Sequence, residues 1–158
     1  MCRKVLFPIR DYIITFKVVY FTYFGKSKTT IGDDTSDAFE NVYAYLEVDY
    51  DRRAYNASGT RWQYLLKNVS GNWDIQQSGI QLKNKKVMYA CTASFETNQV
   101  VYKYPQANSF NYSTGFTTYV PDDPVLCSVQ AKTTTDITRG SETWQLELEV
   151  SIVNNNEF

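Results

Sequence analysis

The sequence predicts an α+β domain, an antiparallel sheet covered by two helices, and three observations lead there. Apolar residues alternate with polar ones near both ends of the chain, as half-buried strands require. Two inner segments instead space their apolar residues at a helical period behind capping-type residues. The resulting order of strand, two helices and several strands fits helices laid on one face of an antiparallel sheet. Should either helical segment be a strand, the alternative is an all-β sandwich or jelly roll.

The first strand is expected over 11–24, where Tyr12, Ile14, Phe16, Val18 and Tyr20 share one face and Thr15 and Lys17 the other. Its end, Gly25-Lys26-Ser27, looks like the tail of a phosphate loop. Tyr20 stands where that loop needs its first glycine, however, and bulky residues fill the interval, so a basic turn is expected instead. In TSDAFENVYAYLEVDYD (35–51), Phe39, Val42, Tyr43, Leu46 and Tyr50 recur at helical spacing, and Asp37 with Glu40 reads as a capping box. In GTRWQYLLKNVSG (59–71), Thr60 and Gln63 repeat that pattern, Trp62, Leu65, Leu66 and Val69 form the stripe, and Gly71 is placed to end the helix. KVMYACTASF (86–95) and QVVYKY (99–104) read as a hairpin, and VLCSVQAK (125–132) as a further strand. Residues 105–124, rich in Pro, Ser, Thr and Asn, read as one long exposed loop. Last, Trp144, Leu146, Leu148, Val150 and Ile152 alternate with Gln145, Glu147, Glu149 and Ser151, a strand with one wet, acidic face.

With 158 residues, the chain is expected to be a single domain over 1–158, with a basic N-terminal segment at 1–11. Its 43% hydrophobic and 16% aromatic content excludes a disordered polymer. Pro8, Arg10, Asp11 and Lys17 interrupt the most apolar stretch, Val5 to Phe24, so neither a spanning helix nor a signal peptide is expected there. The chain has no histidine, which removes the commonest general base and the usual partner of a nucleophilic serine or cysteine. Cys2, Cys91 and Cys127 lack a CxxC pair, so no structural zinc site is expected; they read as core thiols, with a Cys91–Cys127 bridge as the alternative in a secreted protein. Three glycosylation sequons begin at Asn56, Asn68 and Asn111, and roughly two are expected by chance for so short a rule. No enzyme and no cofactor are expected.

Charge is segregated along the chain although it sums to −1. Residues 31–51 carry seven acids, from Asp33 to Asp51, and no base, while 52–103 carry eight bases against Asp74 and Glu96. Such blocks suit head-to-tail contacts between copies or a basic face meeting an anionic surface. The acids could pair for general acid–base work, but Asp at element starts is expected for capping alone. Basic residues among aromatics, as in VVYKYPQ and TRWQYLLK, have the chemistry of single-strand binding, yet the near-neutral balance argues against autonomous affinity for nucleic acid.

The order of ITFKVVY, TSDAFENVYAYL, GTRWQYLLKNVSGNW, KKVMYACTASF and GSETWQLELEVSI resembles the matrix proteins of rhabdoviruses. The resemblance covers roughly residues 12–153 and lies in order and spacing rather than in one diagnostic motif. It implies a non-enzymatic viral structural protein of the virion, host cytoplasm and inner membrane face, which self-associates and links the nucleocapsid to the membrane. Two features of the family are missing: the long Lys-rich N-terminal arm, and a Pro-Pro-x-Tyr motif, which none of the four prolines supplies. On this reading Arg3, Lys4 and Arg10, with Phe7 and Ile9 as apolar anchors, contact the anionic membrane surface. Arg52, Arg53, Lys83, Lys85 and Lys86 contact the nucleocapsid or the acidic face of a neighbouring copy. The alternative function is a secreted or surface-displayed β-rich recognition module, a viral spike or a domain binding carbohydrate or a receptor, through aromatic residues on the long loop.

Overall fold

A computed structural model describes residues 13–14 (backbone only), 29–38, 40–54, 61–94 and 97–153. Among these residues there are ten strands and no helix. They are β1 (Ile13–Ile14), β2 (Thr29–Ser36), β3 (Val42–Ala54), β4 (Trp62–Ile75), β5 (Ile80–Ala93), β6 (Thr97–Lys103), β7 (Ser109–Ser113), β8 (Val120–Pro121), β9 (Cys127–Arg139) and β10 (Glu142–Val153). One sheet runs β1-β10-β9-β5-β6 and the other β2-β3-β4-β7, with β8 also paired to β4. All pairings are antiparallel except that of β1 with β10.

The α+β expectation is therefore corrected to its all-β alternative. The predicted helix over 35–51 is the end of β2, a turn and most of β3. Val42, Ala44, Leu46, Val48 and Tyr50 all face the core, so the true period is two. Asp37 does cap backbone N–H groups, but those of a hairpin turn: its carboxylate accepts from Asn41 N at 2.6 Å and Val42 N at 2.8 Å. The predicted helix over 59–71 is β4, in which Gly71 ends nothing. It sits mid-strand, paired with Leu46 and Phe110, under the Phe110 ring. The stretch 105–124 holds β7 and β8 and buries Phe110, Phe116 and Val120. The hairpin of β5 and β6 stands as the sequence predicts it, and so does the terminal strand up to Val150; beyond a register shift, Ser151 and Val153 are buried in place of Ile152. Of the strand expected over 11–24, all but β1 lies outside the described residues.

The two sheets pack face to face over one core. Val87, Tyr89 and Cys91 of β5, Val129 and Ala131 of β9 and Leu146, Leu148 and Val150 of β10 meet Leu46, Val48, Leu66, Val69 and Trp73 of the other sheet. Leu66 N donates to Cys91 Sγ across the gap at 3.3 Å. Tyr89 reaches the rings of Tyr112 and Phe116, at 6.4 and 5.7 Å between centroids.

Candidate binding site

Local irregularity in β5 builds the candidate site. Lys83 opposes Asp136 and Lys86 opposes Thr134, so Asn84 and Lys85 together face Thr135, a bulge in which Asn84 takes φ 50°. Asparagine tolerates that left-handed conformation better than most side chains. The bulge is held from both sides. On the outer face, Asn84 Nδ2 donates to Asp136 Oδ2 at 2.7 Å, while Gln145 Nε2 donates to Asp136 Oδ1 at 3.3 Å. On the inner face, the Thr135 hydroxyl donates to Lys83 O at 3.1 Å and the Thr133 hydroxyl to Lys86 O at 3.3 Å. These two threonines are buried on the core side of β9, and their hydroxyls satisfy carbonyls at the two borders of the bulge.

Three lysines are displayed as a result around the end of β6. Lys83, Asn84, Lys85, Tyr104, Pro105 and Gln106 line an open groove of about 480 Å³. Lys85 Nζ bonds to Gln106 O and, at 2.9 Å, to Asn108 Oδ1, pinning the far wall. Next to the groove, Lys86 Nζ lies 4.5 Å over the Tyr102 ring, within cation–π range. Tyr102 and Tyr104 are 53% and 66% exposed, large values for aromatic side chains. Two acids stand beside these lysines, Asp136, which the two neutral amides orient, and Glu147, paired with Lys132 at 2.6 Å, so the three lysines outnumber them. The groove thus presents positive charge beside bare phenol rings.

Only part of the predicted basic set gathers here. Lys83, Lys85 and Lys86 come together, whereas Arg52 and Arg53 lie at the far end of β3, opposite Tyr64 and Gln63. Lys85 is tied to Asn108, whose carbonyl accepts from Trp73 N. Tyr64 and Trp73 are nine positions apart in one strand, so the two groups are separated by roughly 30 Å at the rise of an extended chain. The two arginines are also covered by rings, Arg52 at 4.1 Å over Trp62 and Arg53 at 3.9 Å over Tyr119. Arg3, Lys4, Phe7, Ile9 and Arg10 lie outside the described residues. Tyr102 and Tyr104 are not among the site residues the sequence singles out; the signal for them is Lys-Asn-Lys-Lys interrupting the alternation of β5, since a bulge re-aims the side chains around it.

Three acids of the acidic block, Asp34, Glu47 and Asp49, gather with Asp74 on the outer face of the second sheet. Four register rows cross the outer face of the second sheet: Ser36-Tyr43-Asp74, Asp34-Tyr45-Asn72-Ser109, Gly32-Glu47-Ser70-Asn111 and Thr30-Asp49-Asn68-Ser113. They hold four acids and no base. Tyr45 lies across Gly32, where an added Cβ would stand 3.0 Å from its hydroxyl, and that hydroxyl donates to Glu47 Oε2 at 2.6 Å. This hydrogen bond, with burial and the charges of Glu47 and Asp34, pushes the Tyr45 phenol up to about 12.

A folded pKa above the ordinary 10.0 of tyrosine stabilises the protein fully below about pH 10, and that contribution is lost as pH rises through about 12. Tyr45→Phe is expected to flatten the alkaline loss of stability, measured as urea midpoints at about pH 9 and 11. Equal losses in both proteins would remove this linkage.

Cys91 is buried, and loss of hydration raises its thiol to about 11, so little thiolate is present near neutrality. It is a free thiol, and the structure has no Cys91–Cys127 bridge. No group of His, Cys, Asp and Glu able to hold a metal ion occurs among the described residues. No protein-family model, curated protein or solved structure matches the chain.

Proposed function

We propose that this chain is a non-catalytic binding domain that holds an anionic partner in the β5–β6 groove and acts by association. The observation that carries the reading is the convergence of Lys83, Lys85 and Lys86 with the exposed rings of Tyr102 and Tyr104 on a bulge fixed from both faces. Ammonium groups supply attraction and the rings supply contact area with little entropy to lose, the combination that rigid recognition surfaces use. The matrix-like role is also one of association, but the two of its five segments that are expected as helices, 35–46 and 59–73, hold strands and no helix among the described residues, and its membrane-facing residues lie outside the described ones. Groove binding is therefore the part that the geometry supports. The missing Cys91–Cys127 bridge weighs against the secreted form of the recognition module.

The test is a titration of the whole chain with a sulfated tetrasaccharide, an anionic probe with no other resemblance to a protein partner. Binding is expected to weaken as salt rises, to fall about tenfold in Lys83→Ala/Lys86→Ala, and to fall about fivefold in Tyr104→Ala. Affinities within about twofold of the parent in both variants would remove the groove from the function.

A further inference from the structure

The groove and the acidic sheet face are different patches of one molecule, and their chemistry is complementary. From this we infer that the groove's partner is a second copy of the chain, docked through the outer face of its β2-β3-β4-β7 sheet. The inference rests on the proposal that the groove binds anions, and it names the anion.

Three features of the acidic face fit it to the groove. First, its four rows contain Asp34, Glu47, Asp49 and Asp74 and no lysine or arginine, so acids outnumber bases among the residues of the rows. Second, Tyr43 and Tyr45 stand 39% and 40% exposed on it, giving aromatic edges to meet Tyr102 and Tyr104. Third, Tyr45 is fixed by its bond to Glu47 and its seat across Gly32, so ordering it on docking costs little. Every molecule that carries the groove also carries this acidic face, so a complementary surface is present at the groove's own concentration.

Because groove and face are different patches, the contact is heterologous. A copy bound at one end leaves its other end open, and the arrangement propagates head to tail instead of closing as a dimer. The acidic face measures roughly 15 by 20 Å from strand spacing and rise, well below the ~800 Å² that each partner buries in a stable interface. Each contact is therefore weak, and assembly appears only at high protein concentration or low salt.

Sedimentation velocity of the full chain over a concentration series, at about 50 mM and about 500 mM salt, tests this. The weight-average sedimentation coefficient is expected to climb with concentration at low salt and to stay flat at high salt. Lys83→Glu/Lys86→Glu, which inverts the groove, and Asp34→Lys/Asp74→Lys, which inverts the face, should each abolish the climb alone. Mixed in equal amounts they should restore it, because each inverted surface then finds its opposite. A flat wild-type series at both salts, a climb that survives both inversions, or a mixture that stays flat would each overturn the inference. The sulfated tetrasaccharide separates this outcome from failure of the groove itself. If the face-inverted variant binds the probe and the groove-inverted one does not, the groove stands even where self-docking falls.

Discussion

Gly71→Ala is expected to destabilise the protein by more than about 3 kcal/mol, a large share of the 5–15 kcal/mol typical of a domain. An added Cβ would stand 2.3 Å from the Tyr45 carbonyl oxygen and 2.7 Å from Cζ of Phe110. The carbonyl belongs to the backbone of β3, so relief means parting a ladder in the middle of the sheet. The ring cannot retreat freely either, since Trp73 and Tyr112 pack on it at centroid distances of 5.3 and 5.8 Å. Against this, alanine gains only about 0.4–1 kcal/mol by restricting the unfolded chain. The clash therefore wins by a wide margin. Urea unfolding checks it, and a Gly71→Ala stability within about 0.5 kcal/mol of the parent would mean that the sheet opens there at little cost. Gly71→Val, with two more methyl groups in the same place, is expected to yield no folded protein.

Gly71 also shows why part of the fold was hidden in the sequence. A glycine after an apolar stripe has the pattern of a helix stop, and nothing local says that a ring from β7, some forty residues onward, will cover it. The stripe itself was counterfeit. Between Asp49–Asn68 and Tyr50–Leu66 the ladder slips by one residue, leaving Lys67 as an extra position in β4. That bulge sets Trp62, Leu65, Leu66 and Val69 at the i, i+3, i+4, i+7 spacing of a helix, although the strand is extended throughout. In β3 the error had a different source: Tyr43 was counted with the core although it faces water, which masked the clean alternation from Val42 to Tyr50. β10 is readable from periodicity over 144–150, because its own irregularity comes only after Ser151.

The site was legible in halves. Three of the seven acids of 31–51, Asp34, Glu47 and Asp49, share a face because β2 and β3 are neighbours and alternate residues of both point to one side. The basic block does not gather in this way, because its members lie on strands of two different sheets, and roughly 30 Å separates the Arg52 end from the Lys85 end. Sequence order carries charge into space only where consecutive strands pair. What gathers Lys83, Lys85 and Lys86 with Tyr102 and Tyr104 is the β5–β6 hairpin and one bulge, and the bulge is invisible without the register.

Asp37→Ala is the second substitution with a large expected cost, about 3 kcal/mol or more. Asp37 is only 2% exposed, and its carboxylate organises the turn between β2 and β3. One oxygen accepts from the backbone N–H of both Asn41 and Val42, and the other from Asn41 Nδ2 at 3.0 Å. Asn41 and Val42 are almost fully buried, so alanine leaves two backbone donors with neither water nor a partner, each costing about 1–3 kcal/mol. The damage spreads, because the Asn41 carbonyl accepts from Gln76 N at 2.7 Å and so ties this turn to the end of β4. Glu40, held at φ 54°, relies on the same frame: its N–H donates to the Asp37 carbonyl. Asp37→Asn keeps one oxygen for the two backbone donors and loses only the bond to the Asn41 amide, so its cost should be nearer about 1 kcal/mol. Urea midpoints of the two variants, with hydrogen exchange at the Asn41 and Val42 amides, separate the contributions. Fast exchange in Asp37→Ala with slow exchange in Asp37→Asn is the expected pattern. Equal stability of the two variants would show that the bonds from Asn41 N and Val42 N to the side-chain oxygen contribute little, and that the turn is set by the strands it joins.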